Sequence, residues 1–178
     1  GSRGLGDVYK RQAYRVLETS DNGYFIVGNA NKNMYCIKTN ANGDLLWTYS
    51  DSTMQRIAYE ACEASNGDLI ISGYIQEEYK KPFVERISAN GTEQLWLSSY
   101  YELIGEAFDV YEIFETRDGG FAILSNDFSI NEFENNQQIN LTKIANNGSY
   151  EWNKKFGYGF FSQVYGGLQS TKGDYILV

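Results

Sequence analysis

The sequence predicts an all-β chain built from one repeated antiparallel sheet, and three observations predict it. Aromatic residues make up 16% of the 178 residues, with 15 Tyr and 10 Phe beside 18 Gly and a single Pro. Aromatic-rich segments punctuated by glycine, with little helical periodicity, suit strands joined by tight turns. A stretch running from Ile37 to Trp47 returns at Glu85–Trp96 and again at Thr142–Trp152. Each copy carries a base (Lys38, Arg86, Lys143), a turn glycine (Gly43, Gly91, Gly148) and a closing tryptophan (Trp47, Trp96, Trp152). Finally, a second turn motif, anchored at Gly23, Asp68, Gly120 and Asp174, recurs at intervals of 45, 52 and 54 residues.

A period near fifty residues holds four short strands and their turns, the size of a propeller blade. In the first unit, strand one is expected over Tyr14–Thr19. It is followed by an Asp-Asn-Gly turn whose glycine, Gly23, tolerates positive φ. Strand two, Tyr24–Val27, is apolar throughout, as a strand covered on both faces would be. Strand three, Met34–Lys38, passes through the Asn-Gly turn into strand four, Leu45–Tyr49. The expected architecture is a partial β-propeller. Three four-stranded blades span about 13–50, 58–100 and 108–156, and the start of a fourth spans 163–178, where the chain reads as truncated. Residues 1–12 (GSRGLGDVYKRQ) match no repeat column and read as a non-native or disordered leader.

Variation is concentrated in the loops. The turns between strands one and two, and between three and four, stay short in every unit. The loops between strands two and three vary: Asn29–Asn33, Tyr74–Lys81 and the long Asn126–Gln138. The connections between units vary too, at Ser50–Ile57, Tyr101–Ala107 and Gly157–Ser162. Four antiparallel strands put both classes on one face, and a rigid frame with variable loops on one face is how binding surfaces are commonly built.

Composition narrows the function classes. A formal charge of −8 repels phosphate backbones and anionic lipid, which argues against nucleic-acid and membrane-surface roles. No apolar run approaches the roughly 18 residues of a membrane helix. Histidine is absent, which removes the commonest general base and a common metal ligand. No cofactor or metal motif is present. Cys36 and Cys62 fall in apolar columns on non-adjacent strands and are expected to be small hydrophobes rather than a disulfide.

The turn Asp118-Gly119-Gly120-Phe121, the base five residues before each turn glycine and the closing tryptophan resemble the propeller repeats of secreted bacterial surface proteins. The glycine-to-tryptophan interval, four, five and four residues, is also similar to the tryptophan-docking repeats of quinoprotein-type propellers. The resemblance implies an extracellular or cell-surface scaffold or binding module and no reaction. The family's third turn usually opens with Asp, whereas Asn40, Ser88 and Ala145 stand here, which argues against turn-bound calcium.

Candidate residues follow from the columns. Trp47, Trp96 and Trp152, with Gly43, Gly91 and Gly148, are expected to pack neighbouring blades. Tyr14, Tyr59, Tyr111 and Tyr165 share one column near the variable-loop face, suited to inter-blade packing or to stacking on a ligand. Glu18, Glu63, Glu115 and Gln169 form a column at the opposite end of the same strand, readable as turn caps, as channel-lining groups or as acid–base pairs. Phe128 and Phe133, in the acidic Asn126–Gln138 segment, are candidate partner contacts, as is the aromatic Tyr158–Phe161 connection.

The function expected is a non-catalytic extracellular binding or scaffold module that contacts protein or glycan. Its other partners would be the remaining blades of a longer chain. Two alternatives stay open. One is a piece of a propeller hydrolase or lyase whose channel carboxylates converge within about 5–10 Å. The other is a structural spacer for an appended domain.

Overall fold

The computed structural model describes residues 11–78, 80–100, 108–131, 134–157 and 164–178. Their elements are strands, with no helix among them. The first sheet orders β1 (Arg11–Glu18), β2 (Tyr24–Ala30), β3 (Asn33–Thr39) and β4 (Leu45–Ser50) side by side. The second does the same with β5 (Arg56–Glu63), β6 (Leu69–Gln76), β7 (Lys80–Ile87) and β8 (Gln94–Ser99). The third comprises β9 (Phe108–Glu115), β10 (Phe121–Asn131), β11 (Glu134–Ile144) and β12 (Tyr150–Phe156). A two-stranded sheet of β13 (Gly167–Gln169) and β14 (Tyr175–Leu177) follows. Pairing is antiparallel throughout, so the predicted all-β class and the repeated four-stranded sheets are observed.

The turns repeat in chemistry as well as in spacing. Asn22 N–H donates to Thr19 O while Thr19 N–H donates to Gly23 O, and the same pair of bonds closes Asn40–Asp44, Ala64–Asp68, Thr116–Gly120, Ala145–Ser149 and Ser170–Asp174. This is a type I turn whose last residue turns left-handed, the usual three-residue hairpin solution. The left-handed residue is Gly67, Gly119 and Gly173 in the early turns and Gly43, Gly91 and Gly148 in the late ones. In the first turn it is Asn22, at φ 62°, and not Gly23 as the sequence suggested. Asparagine tolerates that region, so Gly23 has another reason to be small. A Cβ there would lie 2.2 Å from Thr39 O and 2.6 Å from Lys38 Nζ. The Ser88 turn is longer by one residue, closing on Glu93, which accounts for the five-residue Gly91–Trp96 interval.

Three expectations change. The segments read as variable loops between strands two and three are mostly strand. β2 and β3 are joined by Asn31 and Lys32 alone, both left-handed (φ 53° and 66°), a two-residue hairpin turn. The long segment Asn126–Gln138 continues the β10–β11 ladder out to the Asn131–Glu134 pair. What varies between units is therefore hairpin length. Lastly, β1 begins at Arg11, paired with Ala30, and Arg11 does match a repeat column. Its guanidinium lies 5.5 Å from the Tyr35 ring centroid, as Arg56 lies 5.6 Å from that of Phe83.

Successive residues of the inner strands pack on opposite faces of their sheet, so β6 is buried from Leu69 to Ile75. Phe25, Val27, Met34 and Cys36 of the first sheet form one core with Ala61, Leu69, Ile71, Phe83 and Ile87 of the second. Ile70 and Val84, on the other face of the second sheet, join Ile113, Phe121, Ile123 and Ile144 of the third. Ala122, Leu124 and Leu141 then pack with Tyr175 and Leu177. The sheets are thus stacked face to face in chain order, each central sheet apolar on both sides. Both cysteines are free; Cys36 is buried and Cys62 partly buried against the second core. Burial raises both thiols above their ordinary range.

Candidate functional site

Each four-stranded sheet carries an ion pair beneath its early turn. Lys38 Nζ sits 2.8 Å from Asp21, Arg86 2.9 Å from Asp68 and Lys143 3.1 Å from Asp118. The three bases are buried, with 4%, 6% and 2% of their surface exposed. The lysines meet an aspartate at the third turn position and a glycine at the fifth. Arginine instead meets Asn66 at the third and Asp68 at the fifth, bonding both. The Thr116 hydroxyl, the Gly120 N–H and Lys143 hold Asp118 down at about 2, and Asp21 is lowered in the same way, chiefly by Lys38. These groups lock turns rather than bind ligands. A buried, saturated ammonium has no capacity left for a substrate.

The glutamate column is also structural, and it joins sheets. Glu63 accepts from both Ser20 N–H and Ser20 Oγ at 2.7 Å, and Glu115 accepts from Ser65 N–H and Oγ at 2.8 and 3.0 Å. Gln169 Oε1 accepts from Arg117 N–H at 2.9 Å. Every one of these side chains reaches back to the early turn of the preceding unit. The tryptophans reach forward. A Cβ on Gly91 would lie 2.6 Å from the Trp47 ring, and one on Gly148 2.7 Å from the Trp96 ring. Trp96 Nε1 also donates to Asn146 O at 3.0 Å. Trp47 and Trp96 share one kind of seat, the late-turn glycine of the following unit, and Trp152 meets Tyr175 edge-on at 5.6 Å.

The tyrosine column marks a feature that sequence reasoning missed. Pairing skips Tyr14, between Ala13↔Gly28 and Arg15↔Val27. It skips Tyr59 between Ala58↔Gly73 and Glu60↔Ser72, and Tyr111 between Val110↔Ser125 and Glu112↔Leu124. Each of the three four-stranded units therefore has a β-bulge at its tyrosine, a device that re-aims side chains and is common beside active sites. Tyr14 and Tyr59 meet edge-on at 4.8 Å, and Tyr59 lies 5.7 Å from Tyr74, over which Lys80 sits at 4.5 Å. Tyr14 is 43% exposed and Tyr165 73%.

The next residue in each unit forms a second group. Arg15 Nε lies 3.3 Å from Glu60 Oε2, and its Nη2 lies 3.8 Å from Glu112 Oε1. The equivalent position in the fourth unit is Gly166, where a Cβ would lie 3.0 Å from Glu112 Oε2. Burial, reinforced by the Glu112 charge and opposed by Arg15, raises Glu60 to about 7. The signal was available in the sequence as the column Arg15, Glu60, Glu112, Gly166, one residue after the tyrosines. It was masked by the more regular glutamates three residues on.

Phe128 is placed on β10, opposite Gln137, and Phe133 and Tyr158–Phe161 lie outside the described residues. Among the described residues, no cluster of three or more His, Cys, Asp or Glu side chains has the geometry of a metal site. The chain matches no protein-family model and no curated protein.

Proposed function

We propose that the chain is a non-catalytic binding module with its sheets fanned as a partial β-propeller, presented at the cell surface or outside the cell. Its ligand is a glycan or an exposed protein segment. The observation that carries this reading is the tyrosine bulge repeated in β1, β5 and β9, beside Arg15, Glu60 and Glu112. The exposed Tyr14 and Tyr165 rings offer stacking faces, and the charged trio offers donors and acceptors. Aromatic faces with a few placed polar groups are the usual composition of a recognition site. The test is a glycan and peptide array probed with the parent chain, with Tyr14→Ala/Tyr165→Ala and with Phe128→Ala. Binding lost in the tyrosine variant and kept in Phe128→Ala supports the site. Equal signals from all three would sink it.

One specific observation favours a second reading, a hydrolase or lyase. Glu60 and Glu112 both approach the Arg15 guanidinium, and one of them titrates near neutrality, as a general acid must. Turnover of any glycoside by the parent, abolished in both Glu60→Gln and Glu112→Gln, would decide for this reading.

A further inference from the structure

We infer that a cavity between the first two units binds a uronic-acid residue of an acidic polysaccharide, with Lys32 as the group that takes its carboxylate. The inference rests on the reading of this chain as a binding module and names the class of ligand. The cavity, of about 320 Å³, is lined by Lys32, Gln55, Ile57, Tyr74 and Gln76. That is the lower end of the range for small-ligand pockets, which suits a single sugar ring. Lys32 comes from the β2–β3 turn, and the other four come from β5, β6 and the residue just before β5. Gln76 N–H donates to Gln55 O at 2.7 Å and Ile57 pairs with Tyr74, so two amides stand beside an apolar pair. Gln76 Nε2 also donates to Glu77 O at 3.3 Å, which leaves its Oε1 and second N–H. Primary amides both donate and accept, as sugar hydroxyls require. Ile57 and Tyr74 supply the apolar wall for the C–H face of a pyranose. Tyr74 in turn lies 5.7 Å from Tyr59, so the cavity adjoins the tyrosine column.

Charge and strain both single out Lys32. Among the described residues that line the cavity it alone is charged, and it makes no hydrogen bond or ion pair with any of the described residues. Lys80 adds a second positive charge 4.5 Å from the Tyr74 ring centroid. Glu77, next along the chain from Gln76, is already engaged by Lys81 at 2.6 Å. On a chain of net charge −8, such a local excess of positive charge is where an anion settles. A lone ammonium among neutral amides matches one carboxylate among hydroxyls. A dianionic phosphate is better matched by a guanidinium fork or a nest of backbone N–H groups. Lys32 also stands where glycine would suit the fold better. Asn31 and Lys32, at φ 53° and 66°, form a two-residue turn whose second position usually takes glycine. A side chain held in the left-handed region costs conformational energy that glycine avoids, and such strain concentrates at functional sites.

The test is titration calorimetry of the whole chain with trimers of glucuronate, galacturonate and mannuronate, with their methyl esters and with inorganic phosphate. At least one acid trimer is expected to bind, its methyl ester weaker by about tenfold or more. Binding should also weaken as salt rises. Lys32→Gln should lower the affinity by about tenfold or more. Lys32→Gly should lower it equally without lowering the urea midpoint, because glycine accepts the left-handed turn. No binding by any acid trimer, equal binding of acid and ester, equal competition by phosphate, or full affinity in Lys32→Gln would each overturn the inference. The Tyr14→Ala/Tyr165→Ala variant separates this outcome from the fate of the tyrosine site. A parent that binds other glycans or peptides through those rings, but no uronate, keeps the module and loses this ligand. Uronate binding that survives the tyrosine change and fails in Lys32→Gln keeps this ligand and removes the tyrosine site.

Discussion

Three glycines distinguish turn geometry from packing. Gly43, Gly91 and Gly148 share a left-handed φ of 84°, 70° and 79°, so alanine at each meets the same backbone strain, about 1–2 kcal/mol. Only the latter two also press on an indole. Gly91→Ala and Gly148→Ala are expected to lose a further ~1–3 kcal/mol of overpacking that Gly43→Ala escapes. Urea denaturation of the three variants measures the difference, and equal losses would show that the indole seat contributes nothing. Glu60 makes a second residue-scale prediction. Its folded-state pKa is raised to about 7, so the folded state holds a proton that the unfolded state has released. Stability should therefore fall as pH rises from about 4.5 to about 7. Glu60→Gln should flatten that decline, and a thermal-melting series from pH 4.5 to 8 reports it.

At the scale of the single sheet, the turn and the strand that closes it behave as one device. A lysine requires its aspartate at turn position three and glycine at five, since its ammonium occupies the space beside Gly23 and Gly120. An arginine, longer and forked, takes its aspartate at position five and bonds Asn66 as well. Unit two should accept the lysine arrangement only as a set. Arg86→Lys alone is expected to destabilise by roughly 2 kcal/mol, from lost bonds to Asp68, Asn66 and Asn146. Adding Asn66→Asp and Asp68→Gly should recover most of the loss from the Asp68 and Asn66 bonds, whereas the Asn146 contact stays broken. Thermal melts of the single and triple variants test this, and a triple variant no better than Arg86→Lys would refute the coupling.

Across the molecule, the interfaces between sheets are not equivalent. Between the first and second lies a buried polar group in which Arg56 bonds Glu85 at 2.7 Å and Asp51 at 2.5 Å, and Tyr49 donates to Glu85 at 2.6 Å. Arg56 and Glu85 are fully buried. Removing one partner strands a charge, and Arg56→Leu is expected to cost about 3–5 kcal/mol. Glu85→Ile, which installs the residue found at Ile37, should relieve most of that in the double variant. A double-mutant cycle in urea checks it, and losses that simply add would mean the pair is uncoupled. The pair gives this interface a register that apolar contacts alone do not impose. The third sheet has Asn140 and Thr142 in place of Phe83 and Glu85, with the Asn140 side chain buried and without a hydrogen-bond partner among the described residues. We have no physical account of that substitution.

Sequence alone determined the repeat, the strand positions, the turn chemistry and the column in which each tryptophan, tyrosine and glutamate would fall. The strands and turns depend on residues within a few positions of one another, where spacing and turn propensity act directly, and the columns follow from aligning units 45, 52 and 54 residues apart. It misplaced what two strands decide together. The Asn126–Gln138 segment looked like a loop because it is polar, yet backbone pairing does not require apolar side chains. The tyrosine bulges were invisible because a bulge exists only relative to a partner strand. Which unit each side chain serves was likewise left to the tertiary structure. Glu63 reaches back 43 residues to Ser20 and Trp96 forward 50 to Asn146, and no local pattern encodes the direction. The Arg15, Glu60 and Glu112 group belongs to the same class. Three strands from three sheets bring it together, and burial between them, rather than any motif, raises Glu60 toward neutrality.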